Sequence, residues 1–191
     1  MLIAYVHGFL SGPNAVKSTI LKNYLKEHEP ELCFDAPDFP DTPKEAYEYL
    51  EAYFKKAQKS HDKICLVGSS MGGFFSTLMA DKFGFKAALL NPCVHPQDYF
   101  KDLVGSQYNA ATDVYFELHN DMLAYICYLD SRCKVNSDRL FVLLQRGDEV
   151  LDYTKAQSFY AGCKMDIEDG GCHTFDNFES KIPSILEFFK A

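Results

Sequence analysis

From Leu2 to Lys190, short apolar runs alternate with longer segments of helical periodicity, and few folds can accommodate that rhythm. Repeated βα units bury such runs in a parallel sheet with helices on both faces. The runs predict strands at Leu2–Val6, Leu32–Ala36, Ile64–Val67, Ala87–Leu90, Leu140–Leu144 and Lys164–Ile167. Helical patterns lie near 13–28, 43–59, 71–83, 153–161 and 178–190. The second opens on "TPKE", which predicts a capped start: Thr42 serves free N–H groups, Pro43 sits in the first turn and Glu45 bonds back to the cap.

The rhythm breaks between about 92 and 138. That interval runs through "NPCVHPQDYFKDLVG", the polar "SQYNAATD", a short helical pattern "VYFELHNDMLAYI", and "DSRCKVNSDR". It is expected to be an insertion lying over one sheet edge. With 191 residues and no repeat or linker elsewhere, the expectation is a single α/β domain over 1–191, with a mostly parallel sheet of about six strands.

Within this frame "ICLVGSSMGGFF" demands a chemical explanation. A strand runs into a glycine-flanked serine and then into a helix, the context of a G-x-S-x-G nucleophile elbow centred on Ser70. Gly68 and Gly72 keep the tight turn clear of its neighbours, and Gly73 relieves crowding where helix meets sheet. A glycine-rich turn can also cradle phosphate, but neither GxxxxGK[ST] nor GxGxxG is present.

A serine hydroxyl needs a base, a carboxylate to orient that base, and donors for the developing oxyanion. The chain order Ser, acid, His points to Asp148 in "LFVLLQRGDEVLDY" and His173 in "DIEDGGCHTF", just after the final strand. Glu149 and Asp152 lie close to Asp148; Asp152 also reads as a helix N-cap, and Asp148 as a plain turn residue. "YVHGFLSG" ends the first strand and is the expected source of one oxyanion donor, the Phe9 N–H, with the Met71 N–H as the other. Gly8 belongs to the same turn, and His7 reads as a buried, loop-shaping histidine.

Composition removes several other functions. No run of eighteen apolar residues is present, so no membrane span is expected. The net charge of −8, with no basic stripe, argues against nucleic acid as a partner. The seven cysteines form no CxxC pair or zinc spacing and are expected as reduced thiols. Cys93 with His95, and Cys172 beside His173, lack a third ligand, so no metal is expected. The N-terminal "MLIAYVHGFL" reads as a strand rather than a signal peptide, which makes a cytoplasmic location the expectation. Tyr99, Phe100, Tyr108, Tyr115 and Phe116 of the insertion are expected to line a substrate pocket.

With Ser70, Asp148 and His173 so arranged, the chain resembles the α/β-hydrolase superfamily over nearly its whole length. The segments "YVHGFLSGP", "GSSMGGFF", "LLNPCVHP", "LLQRGDEVLDY" and "EDGGCHTFDNFE" are similar to the small bacterial YqiA-type esterases. That resemblance implies a compact α/β-hydrolase fold and an acyl-ester or acyl-thioester hydrolase without metal or organic cofactor. It assigns Ser70 as nucleophile, His173 as acid–base, Asp148 as its orienting group, and the Phe9 and Met71 N–H groups as the oxyanion hole. The chain is short for the superfamily and is expected to lack its leading antiparallel strands. An amidase or acyltransferase on the same triad, or a non-catalytic ligand-binding protein of the same fold, stand as alternatives.

Overall fold

The structure is a computed structural model describing residues 1–191. Six parallel strands form the main sheet: β1 (Leu2–Val6), β2 (Cys33–Asp35), β3 (Ile64–Ser69), β4 (Lys86–Leu90), β7 (Leu140–Gln145) and β8 (Lys164–Glu168). Their spatial order is β2-β1-β3-β4-β7-β8. The chain steps outward from β1 to β2 and then returns to lay β3 on the other side of β1. The carboxyl ends of β1 and β3 therefore flank a topological switch point, where open parallel sheets leave a crevice.

Side chains alternate across this sheet. Ala4, Val6, Leu66, Leu89 and Val142 pack with the helices α2 (Pro43–Ala57) and α3 (Met71–Phe83). Ile3, Tyr5, Val67, Leu90 and Leu143 pack on the opposite face with α1 (Val16–His28) and α7 (Phe178–Lys190). A strand buried on both faces has no polar side to show, which is why these segments read as unbroken apolar runs. No helix is long and apolar enough to cross a membrane.

Three expectations need correction. "VYFEL" does not begin a helix: Val114–Leu118 is β6, paired antiparallel with β5 (Gly105–Asn109), and only after His119 does α5 (Asn120–Ser131) start. Valine, tyrosine and phenylalanine suit a pleated ribbon, with Leu118 buried and Tyr115 turned outward. Nor does the insertion lie over a sheet edge. Its α5 packs on α2 and on the short α4 (Pro96–Phe100), and Phe100, Leu118, Ile126 and Leu129 join the core on the α2/α3 face. β4 and β7, which flank it in sequence, are direct neighbours. Finally, Thr42 precedes α2 without capping it, because its hydroxyl donates to the Glu45 carboxylate instead. The remaining helix, α6 (Tyr153–Phe159), is capped by Asp152, which accepts the Thr154 N–H at 2.9 Å.

Candidate active site

β3 ends at Ser69 and α3 begins at Met71, so Ser70 alone makes the turn. Its φ of 55° and ψ of −121° lie outside the regions that L-residues ordinarily occupy. Hydrogen bonds hold this conformation: the Ser70 N–H donates to the Leu90 carbonyl at 3.0 Å, and the Ser70 carbonyl accepts from Gly73 at 2.9 Å and Cys93 at 3.0 Å. The turn presses its backbone against β1. A Cβ on Gly72 would stand 2.0 Å from the Val6 carbonyl oxygen, and one on Gly68 would stand 2.4 Å from Ser76 Oγ. Gly72→Ala is accordingly expected to cost about 3 kcal/mol, read as a lowered urea midpoint at unchanged slope.

Asp148 and His173 leave the neighbouring strand ends β7 and β8 and converge on Ser70. His173 Nε2 is 3.0 Å from Ser70 Oγ, and His173 Nδ1 is 2.9 Å from Asp148 Oδ2. The Asp148 side chain is 2% exposed. Its Oδ1 also accepts the N–H groups of Val150 and Leu151, at 2.9 and 2.8 Å, which fixes the carboxylate in one orientation. Glu149, the rival acid, makes no hydrogen bond to the imidazole ring and instead accepts the His173 backbone N–H at 2.9 Å.

Two residues that sequence reasoning overlooked hold the His173 loop. Gln145, buried at the end of β7, accepts the N–H groups of Cys172 and Asp176 through Oε1, at 3.2 and 2.8 Å. Through Nε2 it donates to the Asp176 carbonyl at 2.9 Å. Asn91, at the end of β4, donates to the Cys172 carbonyl at 3.0 Å and accepts the Gln145 N–H at 2.9 Å. The available signal was positional: a lone amide side chain closing an apolar strand at the carboxyl edge of the sheet. Gln145→Leu strands two backbone donors and is expected to cost about 2–4 kcal/mol in chemical denaturation.

At the end of β1, Gly8 approaches the serine closely, a Cβ built there lying 3.5 Å from Ser70 Cβ. The N–H groups of Phe9 and Met71 make no hydrogen bond within the protein. His7 is buried, stacked on Phe39 with ring centroids 3.9 Å apart, and its Nδ1 is 2.9 Å from the Gly8 carbonyl oxygen.

The chain matches the uncharacterised protein family UPF0227 over residues 1–190. It belongs to UPF0227. A UPF0227 protein of Serratia proteamaculans (strain 568) is 25% identical over 189 residues, covering 98% of each chain. Among solved structures, Est1E from Butyrivibrio proteoclasticus with ferulic acid bound superposes with a TM-score of 0.71 at 16% identity, covering 99% of this chain and 87% of that one. Mouse alpha/beta hydrolase domain-containing protein 10 gives 0.70 at 14% identity, covering 97% and 88%. The fold of this UPF0227 chain is thus the α/β-hydrolase fold, with a small antiparallel hairpin in its insertion.

Ser70 and His173 open into a cleft of about 1010 Å³. The five aromatics expected to line it do not. Phe100 and Phe116 pack against Phe9, with centroids 4.6 and 5.9 Å away, while Tyr108 and Tyr115 stack on each other at the surface. The cleft of this UPF0227 member is instead walled by the loops after β1 and β8 and by the starts of α1 and α7, with Lys17, Ile20, Thr174 and Phe178 among its lining. Lys17 Nζ donates to the Thr174 carbonyl at 2.7 Å, and burial holds its ammonium below the usual lysine range. The two other chemistry-bearing pairs are engaged elsewhere. His95 Nδ1 is 2.9 Å from Asp130 Oδ2, and Cys93 is buried with its thiol pushed up to about 12 by desolvation. Cys172 Sγ lies 3.0 Å from Thr174 Oγ1 and 3.1 Å from Asp176 Oδ1, and all seven cysteines are free. No group of three or more His, Cys, Asp or Glu side chains is disposed to hold a metal ion.

Proposed function

We propose that this chain is a serine esterase that hydrolyses acyl esters or acyl thioesters through an acyl-serine. The observation carrying this reading is the continuous hydrogen-bonded line from Ser70 Oγ through His173 to Asp148, standing at the mouth of the large cleft. Est1E, which shares the fold, binds ferulic acid, a carboxylic acid, and this supports a substrate of the acyl class.

In the first step Ser70 Oγ bonds to the acyl carbon while its proton passes to His173 Nε2. The negative oxygen is met by the Phe9 and Met71 N–H groups, which are free to donate. The carbon–oxygen or carbon–sulfur bond to the leaving group then breaks, and His173 returns the proton to it. Water repeats the sequence on the acyl-serine, releasing the acid and restoring the serine. Asp148 holds Nδ1–H and steadies the imidazolium.

An assay of purified protein on 4-nitrophenyl acetate and an acetyl thioester tests this. Steady release of the leaving group together with acetate is expected. No turnover on an oxygen-ester and thioester panel by folded protein would favour the non-catalytic binder. A product in which the acyl group sits on an added alcohol or amine would identify an acyltransferase.

A further inference from the structure

The two sides of Ser70 differ sharply in the room they offer. His173 must protonate the departing group, so that group lies on the His173 side of the acyl carbon. That is the side of the 1010 Å³ cleft, whose walls include Lys17, Thr174 and Phe178. Next to Phe9 and Met71 lies a second cavity, of only about 10 Å³, lined by His7 and Gly8 and closed by Phe39, Phe75 and Phe100. Such a cavity admits one group about the size of a water molecule or a methyl.

The walls of this cavity are braced. Asp41 accepts the Leu10 N–H at 3.0 Å and the Asn109 side chain at 2.8 Å, and Asn109 also donates to the Ser11 carbonyl at 2.8 Å. The hairpin is thereby tied to the loop after β1, and Phe100 and Phe116 are seated behind Phe9. The insertion closes the acyl side of the serine rather than lining the open cleft.

His7 gives the cavity a chemical preference. It is 1% exposed, and its Nδ1 faces the Gly8 carbonyl, which only accepts, so the ring proton sits on Nδ1. Burial pushes the ring below the ordinary histidine range and keeps it neutral. Nε2 is then a bare acceptor, buried, with no protein donor in reach. The other polar side chain in the lining, Asp41, is already committed to Leu10 and Asn109.

Resting on the acyl-serine reading, we propose that the substrate is an ester whose bulk lies in its leaving group and whose acyl part is short and ends in a single hydroxyl, as in a hydroxyacetyl ester. Phe39 sets the length limit and His7 accepts the hydroxyl. The test uses 2-naphthyl acetate, propanoate, octanoate and hydroxyacetate, each rate divided by its hydroxide rate to remove intrinsic reactivity. kcat/KM is expected to fall about 100-fold from acetate to octanoate, and hydroxyacetate to exceed propanoate about tenfold. Phe39→Ala, or Phe39→Leu where the larger truncation fails to fold, narrows the acetate-to-octanoate ratio at least about tenfold. Octanoate turned over as well as acetate, by protein that a fluorophosphonate still labels at Ser70, would overturn this inference and leave the esterase reading standing. Equal corrected rates for hydroxyacetate and propanoate would remove the role given to His7. Absence of both turnover and labelling would overturn the two readings together.

Discussion

Ser70→Ala is expected to lower kcat for aryl acetates by about 10⁴- to 10⁶-fold, with KM changed little. The substitution removes the one atom that forms a bond to the acyl carbon and leaves the Phe9 and Met71 N–H groups, which sustain a small residual rate. Stability should shift by no more than about 1 kcal/mol, since alanine meets the same positive φ of 55° as serine. The measurement pairs kcat with a thermal midpoint. A variant retaining turnover within tenfold of the unaltered chain would exclude Ser70 as nucleophile.

Asp148→Asn should cost about 10⁴-fold in kcat, for a reason written in its hydrogen bonds. Oδ1 accepts the N–H groups of Val150 and Leu151, so an asparagine keeps its carbonyl oxygen there, 3.0 Å from Nδ1, and puts its NH₂ at the Oδ2 position, 2.9 Å from Nδ1. An NH₂ donor facing Nδ1 favours the tautomer with the ring proton on Nε2, in which the imidazole can no longer take the proton of Ser70. Glu149→Gln provides the contrast: an amide oxygen can still accept the His173 backbone N–H, and a loss below about tenfold is expected. The pair separates the tautomer argument from general damage to the loop. Equal losses in the two variants would contradict it.

The sheet was legible because each central strand is buried on both faces and so carries an unbroken apolar run. The elbow was legible because its turn allows no side chain at Gly68 or Gly72, which leaves a fixed spacing around Ser70. Choosing Asp148 over Glu149 was harder, since adjacent carboxylates in a turn look alike until the turn direction is known. The hairpin was missed because "VYFEL" contains both a strand alternation and a start of helical spacing, and pairing with Gly105–Asn109 decides between them. The pocket was misplaced because aromatic content signals burial without saying against what: Phe100 and Phe116 support Phe9 from behind. Gln145 and Asn91 carry no motif, and their importance lies in backbone groups contributed by a loop far along the chain.

The most direct test of the central claim is to treat the protein with a fluorophosphonate and map the modified peptide by mass spectrometry, with Ser70→Ala and His173→Ala as controls. A stoichiometric adduct on Ser70, absent from both variants, is the predicted result, because only a serine activated by its histidine reacts at neutral pH. A folded, unaltered chain that remains unlabelled, or one labelled at another residue, would contradict the assignment of Ser70 as an activated nucleophile.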